Sequence, residues 1–238
     1  MTTRAFAKGL RDGLPFLLVV LPFALLFGVV AHEAGLDLAQ IMGFSVLVLA
    51  GASQFTAVQL LADNAPALIV IVSALAVNLR MAMYSASLVP HLGAAPLRMR
   101  ALIAYLLIDQ TYALSDAEFT ARTARPLAEK IAYFMGTSVT LCLPWMAMTA
   151  VGATMGRAIP PAFALDFAVP ITFLAMIAPA LRSLPHVVAA AVSVIGALVF
   201  SVLPHGLGLL VAAPLAMVAG ARTELFLARR AARRGALG

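Results

Sequence analysis

Long apolar runs joined by short polar segments fill the chain. The runs fall at residues 13–31, 41–61, 65–89, 101–119, 131–151, 163–181, 186–203 and 206–221. A helix rises 1.5 Å per residue, so about 20 apolar residues cross a hydrocarbon core about 30 Å thick. The pattern predicts eight transmembrane helices, an all-α polytopic membrane bundle. It reads as one domain over 1–238, with a basic N-terminus at 1–12, the bundle at 13–221 and a basic tail at 222–238. Pro15, Pro22 and Gly28 loosen the first run. A basic leader followed by an apolar run also fits a signal peptide, but so many later spans favour an uncleaved helix. Two runs carry polar residues near their middles. The first holds Gly51-Ala52-Ser53-Gln54-Phe55, the next Asn78-Leu79-Arg80, and Asp63-Asn64 marks the turn between them.

Composition agrees with the pattern. The chain is 63% hydrophobic and 11% charged, against about 45–50% and about 25% in soluble domains. The net charge of +6 reads as an orientation signal and contact with anionic lipid. No interleaving of basic and aromatic residues suggests nucleic acid. Cys142 is the only cysteine, so an intrachain disulfide is excluded. His32, His91, His186 and His205 are far apart, and neither CxxC nor HExxH occurs. No metal or cofactor is expected.

Loop charges set the expected topology. Eight spans with the N-terminus inside place Arg4, Lys8, Arg11, Arg122, Arg125, Lys130, Arg182 and the C-terminal arginines inside. Arg98, Arg100 and Arg157 fall outside. This bias follows the positive-inside rule, with both termini cytoplasmic, although Arg98 and Arg100 run against it. A re-entrant path for 41–61 would bring those two inside but move the C-terminal arginines out. A short internal similarity, Leu21-Pro22-Phe23 with Gly28 and Gly35 and Leu143-Pro144-Trp145 with Gly152 and Gly156, suggests a 4+4 repeat, a transporter habit.

The mid-run polar residues have helical spacing. Ser73, Arg80, Tyr84 and Ser87 share one face of 65–89, and Tyr105, Asp109, Tyr112 and Asp116 share one face of a continuous 101–119 helix. Arg80 and Asp109 are the natural ion pair between them, at depths the two spans allow. The pair either fixes two helices together or forms a substrate or proton site, since an intramembrane ion costs roughly 3 kcal/mol unless it is paired or solvated. Gly51–Gln54 likewise has two readings. Glycine breaks the helix and Ser53 caps a half-helix starting at Gln54, whose N–H groups face an anion in a cavity; or small residues pack helices closely. Asp166, early in 163–181, is either a cap or a proton carrier.

The segments GASQFTAV, NLRMAMYSASL, IDQTYAL, LPW and ALDFAVPITFL stand in the same order over about Gly9 to Gly220 as in the AzlC family, and the chain resembles that family. The resemblance implies the large subunit of an inner-membrane secondary exporter of leucine, isoleucine, valine and sometimes methionine, driven by the proton-motive force. It also implies a small AzlD-type membrane subunit as partner. Met81 stands where family members often have His, and Gln110 where they often have Glu, removing two titratable groups from a proton route. A zwitterionic substrate needs a positive site for its carboxylate, an acceptor for its ammonium and an apolar pocket. The candidate substrate-binding residues are Gly51, Ser53, Gln54, Asn78, Arg80, Tyr84, Asp109 and Tyr112, with Asp109 and Asp166 as candidates for proton coupling. The competing readings are an exporter of another small apolar solute, a membrane enzyme and a scaffold. An enzyme is disfavoured, because no histidine lies mid-run and no GxSxG is present. A scaffold has no need of a buried charge.

Overall fold

The basic N-terminal segment and the first apolar run form one rod. Helix α1 (Thr2–Gly13) passes through a 3-10 turn at Leu14–Phe16 into α2 (Leu17–Glu33). Pro15 sits in the first positions of that turn, where its missing N–H is not needed. The computed structural model describes residues 2–155, 181, 183–203 and 207–235. They belong to two units, Met1–Leu165 and Asp166–Gly238.

In the first unit, α8 (Leu127–Met155) lies alongside α1 and α2, running the same way. Two reciprocal glycine notches fix this contact. A Cβ on Gly9 would strike the Tyr133 carbonyl, and one on Gly136 the Phe6 carbonyl. Further along, Gly28 faces the Thr149 carbonyl and Gly152 faces that of Leu25. Small residues allow such backbone approach in lipid, where dispersion and not water expulsion drives helix association.

Between these rods the chain makes two half-length hairpins and one full crossing. Helix α2 ends at Gly35, whose φ of 87° suits glycine. There Leu36 N–H bonds the Ala31 carbonyl and Gly35 N–H that of His32. Asp37 and Gln40 then form a reciprocal capping box that starts α3 (Leu38–Leu47). The chain opens at Val48-Leu49-Ala50 and re-forms as α4 (Gly51–Ala62). Helix α4 doubles back: the Gln54 side chain reaches the carbonyls of Phe44 and Val48, and Phe44 packs on the cluster holding Ala57 and Leu60. Asn64, at φ 55°, repeats the left-handed stop, and α5 (Ala67–Leu92) follows antiparallel to α4. Ser53 donates to the Ala74 carbonyl across that pair.

Helix α6 (Leu97–Tyr105) re-enters beside the end of α5, opens at Leu106-Leu107-Ile108 and returns as α7 (Asp109–Ala121). Arg80 meets Asp109, Tyr84 stacks on Tyr112, and His91 lies 5.5 Å from Phe119. Helices α5 and α7 are therefore parallel. The His91 ring is also 3.4 Å from Lys130 Nζ at the start of α8, so the ends of α5 and α7 and the start of α8 share one level. Segment 97–121 thus enters and leaves at the same end.

The predicted eight-span path needs correction. Runs 41–61 and 101–119 do not cross; each is a broken hairpin, one from each end. Five described helices are long and apolar enough to cross a membrane: Thr2–Glu33, Ala67–Leu92, Leu127–Met155, Leu184–Val202 and Val211–Arg230. Run 163–181 lies almost wholly outside the described residues. The correction also removes the anomaly at Arg98 and Arg100. Both belong to the end that holds Lys8, Arg122, Arg125 and Lys130, while the opposite end carries Glu33, Asp37 and Asp63.

The second unit contains α9 (Leu184–Val199), a 3-10 turn at Phe200–Val202 and α10 (Leu207–Gly235). These helices pair antiparallel, Gly196 against Ala212 and Gly220 against Ala189. Helix α10 runs on through the basic tail, well past the predicted end at 221.

Candidate functional site

The breaks in the two hairpins bring polar backbone to the middle of the first unit, and side chains satisfy it. A broken helix in lipid exposes carbonyls and amides that need partners. Gln54, fully buried, donates through Nε2 to Phe44 O at 2.8 Å and to Val48 O at 2.6 Å. The Tyr105 hydroxyl, at the tip of α6, donates to the Val46 carbonyl near the tip of α3. This bond joins the hairpins. In the second break, Ile108 N–H donates to Thr111 Oγ1 at 2.9 Å, and Thr111 is fully buried.

Beside the tips, Arg80 stands near the middle of α5, and its guanidinium lies 3.0 Å from Asp109 Oδ2, both side chains about 30% exposed. Asp109 is the first residue of α7, where the helix dipole favours a carboxylate. Tyr84 and Tyr112 stack with centroids 4.1 Å apart at 9°, and Tyr112 donates to Ser87 Oγ at 3.2 Å. Arg80 Nε, Asp109 Oδ1 and Asn78 Oδ1 are enclosed without a hydrogen-bond partner. The site thus pairs one cation with one anion and keeps a donor and two acceptors spare.

The predicted site residues divide into groups. Asn78, Arg80, Tyr84, Asp109 and Tyr112 lie together here. Gln54 is fully buried, with its Nε2 on the tip of α3 and its Oε1 without a hydrogen-bond partner. The interruption falls at 48–50, before the predicted Gly51–Ser53. Ala50 is the N-cap, so Ser53 does not cap a half-helix. Gly51 fits against the rings of Phe23 and Trp145, where a side chain would collide. Phe23, Phe27, Phe55 and Trp145 form an aromatic cluster around it, with Phe23 and Phe55 centroids 4.9 Å apart. Asp166 lies outside the described residues.

A second charged cluster was missed by sequence reasoning. At the basic end, Glu118 Oε2 lies 2.9 Å from Lys8 Nζ, and Oε1 lies 2.9 Å from Arg125 and 3.8 Å from Arg122. Lys8 also contacts Asp12 at 2.5 Å, and Tyr133 donates to Asp12 at 2.8 Å. Lys8 and Glu118 are 110 residues apart, beyond the reach of periodicity. The available signal was their acid and base character next to predicted span ends.

Residues 15–159 match the family model described as AzlC protein. Inner membrane protein YgaZ of Escherichia coli (strain K12) is 27% identical over 178 residues, 72% of this chain and 71% of that protein. An uncharacterized membrane protein of Archaeoglobus fulgidus is 30% identical over 181 residues, 74% and 76% of the two chains. One from Helicobacter pylori (strain 26695) is 32% identical over 113 residues, 46% of this chain and 49% of that one. No solved structure matches. The matched stretch contains both hairpins and the Arg80–Asp109 pair, on a framework of apolar crossing helices with a transporter-type role. The chain belongs to the AzlC family of membrane proteins.

Proposed function

We propose that the chain is the large subunit of a secondary exporter of branched-chain amino acids: leucine, isoleucine, valine and, as a further substrate, methionine. In this reading it acts in the inner membrane, works with a small AzlD-type subunit, performs no covalent chemistry and draws on the proton-motive force. The observation that carries it is the Arg80–Asp109 pair at the hairpin tips with its unused polar atoms. Arg80 suits a substrate carboxylate. Asp109 and Asn78 offer acceptors to an ammonium, and Asp109 is also the candidate proton carrier. Intramembrane ions at broken helices are a transporter feature.

The basic end of the first unit is read as cytoplasmic. In this reading both termini are cytoplasmic. A reporter inserted at 94–96 should give a cytoplasmic signal, and a periplasmic signal would reverse the assignment.

The test of function is growth on branched-chain dipeptides in an exporter-deficient host, with and without the small partner. Relief of toxicity by both subunits together supports the reading. Full relief by this chain alone removes the partner from it. Normal export by a stably inserted Arg80→Ala/Asp109→Ala protein refutes the site.

A further inference from the structure

A cavity of about 70 Å³ lies between the end of α5 and α6, lined by Ser85, Leu88, Leu92, Arg100, Ile103 and Leu107 among others. Its position along α5 is informative. From the basic end inward come Leu92 and Leu88, then Ser85, then Tyr84, then Arg80. On the hairpin side Leu107 lies in the α6–α7 break, two residues before Asp109. Along α5, Tyr84, stacked on Tyr112, comes between the cavity-lining Ser85 and Arg80, although neither ring lines the cavity itself. The walls are mostly apolar, and Arg100 has no carboxylate partner among the described residues. Arg100 is an exposed residue and lines the cavity.

We infer that this cavity is the loading site for an apolar amino acid on the basic side of the protein. The substrate carboxylate sits on Arg100 and the side chain against Leu88, Leu92 and Ile103. The stacked tyrosines close the way to Arg80 and Asp109. The inference rests on the export reading and adds a first binding step, with its own cation, to that same path. A guanidinium at the mouth raises the local concentration of a carboxylate ligand, and apolar walls favour a branched side chain over glycine. Parting the tyrosines breaks a single ring stack, a barrier thermal motion crosses readily.

Cys142 is the only cysteine and is buried, so a Cys142→Ala chain gives a silent background. Ser85→Cys is introduced there, with Ala104→Cys as a second position on the same cavity should the first fail to insert. Inverted and right-side-out vesicles are treated with a membrane-impermeant methanethiosulfonate, with and without saturating leucine, and leucine export is measured in parallel. The expected result is modification only from the side of the N-terminus, slowed several-fold by leucine and not by glycine. Adding Arg100→Gln should raise the leucine concentration for half-protection roughly tenfold, the loss of one charge-assisted hydrogen bond. No modification at either position from the N-terminal side overturns the inference. So does unprotected modification in a protein that exports leucine, which leaves the export reading standing. Protection that follows the anionic phospholipid content of the vesicles, and not leucine, makes the cavity a lipid site and also overturns it. If the wild-type pair exports no leucine and no amino acid protects, the export reading falls and takes the inference with it.

Discussion

Two ion-paired carboxylates of the first unit, one buried and one partly exposed, are served differently. Glu118, at the basic end, has cations on both oxygens: Lys8 at 2.9 Å on one, Arg125 at 2.9 Å and Arg122 at 3.8 Å on the other. Asp109, at the hairpin tips, has one cation on one oxygen, and its other oxygen has no hydrogen-bond partner. A carboxylate with a cation on each oxygen has its charge matched within the protein, although its Oε1 too lacks a hydrogen bond, and its ion pairs tie α1 to the end of α7 and the loop after it. A carboxylate with a free oxygen beside a guanidinium with a free Nε keeps capacity for a guest. The number of partners, more than burial, separates a fastener from a site.

The largest effect that would break this comparison is at Arg80 and Asp109. Either Arg80→Ala or Asp109→Asn should lower leucine export at least about thirtyfold per inserted molecule, the weight of one or two charged contacts to substrate. The double alanine variant should insert yet stay inactive. Vesicle uptake normalised to immunoblot is the measurement, and wild-type rates in the double variant would make Asp109 another fastener.

Glu118→Gln should do the reverse. It leaves Lys8 and Arg125 without their shared anion and should cost about 2–3 kcal/mol, less than a fully buried pair because the Lys8 side chain is 33% exposed. The apparent Tm in detergent should fall, while the export rate per folded molecule holds. A lost rate with an unchanged Tm would place Glu118 in the transport path.

Gln54→Leu tests whether the tips are built or open. It removes one of two donors from each of the Phe44 and Val48 carbonyls, which keep the N–H groups of Val48 and Ala50, and the two lost bonds should cost about 1–3 kcal/mol, read by the same Tm shift. A neutral result would mean water takes over the amide's work, and the tip would then be wet.

Tyr105→Phe is the smallest. It removes a hydroxyl that links the hairpins and should cost about 0.5–1.5 kcal/mol. Hydrogen exchange at Val46–Ala50 should rise more than exchange in α8. Equal change in both would show that the hairpins are not tied through this bond.

Some of this was legible in the sequence. The class, the polar faces of 65–89 and 101–119 and the Arg80–Asp109 pair follow from apolar content and helical spacing. The path of the chain does not. The breaks at Val48-Leu49-Ala50 and Leu106-Leu107-Ile108 contain neither glycine nor proline, and two half-helices of such residues have the hydropathy of one span. Gly51 drew the expected break onto itself, but its missing side chain makes room for Phe23 and Trp145. The opening of α3 is tolerated because Gln54 folds back onto it, a contact made through tertiary structure. Arg98 and Arg100 were the legible sign that the count of crossings was wrong, since two arginines on the far side contradict an otherwise one-sided chain. Thr111 was a further sign left unread: a hydroxyl three residues after Ile108 is placed to serve a new helix start.

The reciprocal notches of α1–α2 and α8 have a consequence for how the protein is made. Gly9 and Gly28 are among the earliest residues to leave the ribosome, yet the carbonyls they pack against, at Tyr133 and Thr149, belong to the last described helix of the first unit. At roughly 5–20 residues per second the first rod waits several seconds for its mate. During that time its glycine face meets lipid alone, and the hairpins must enter a bilayer whose closing wall has not yet been synthesised. Assembly of this unit is therefore gated by the arrival of α8. A chain stalled before residue 152 would hold its first helix in the membrane with both notches empty, a state that membrane quality control can recognise.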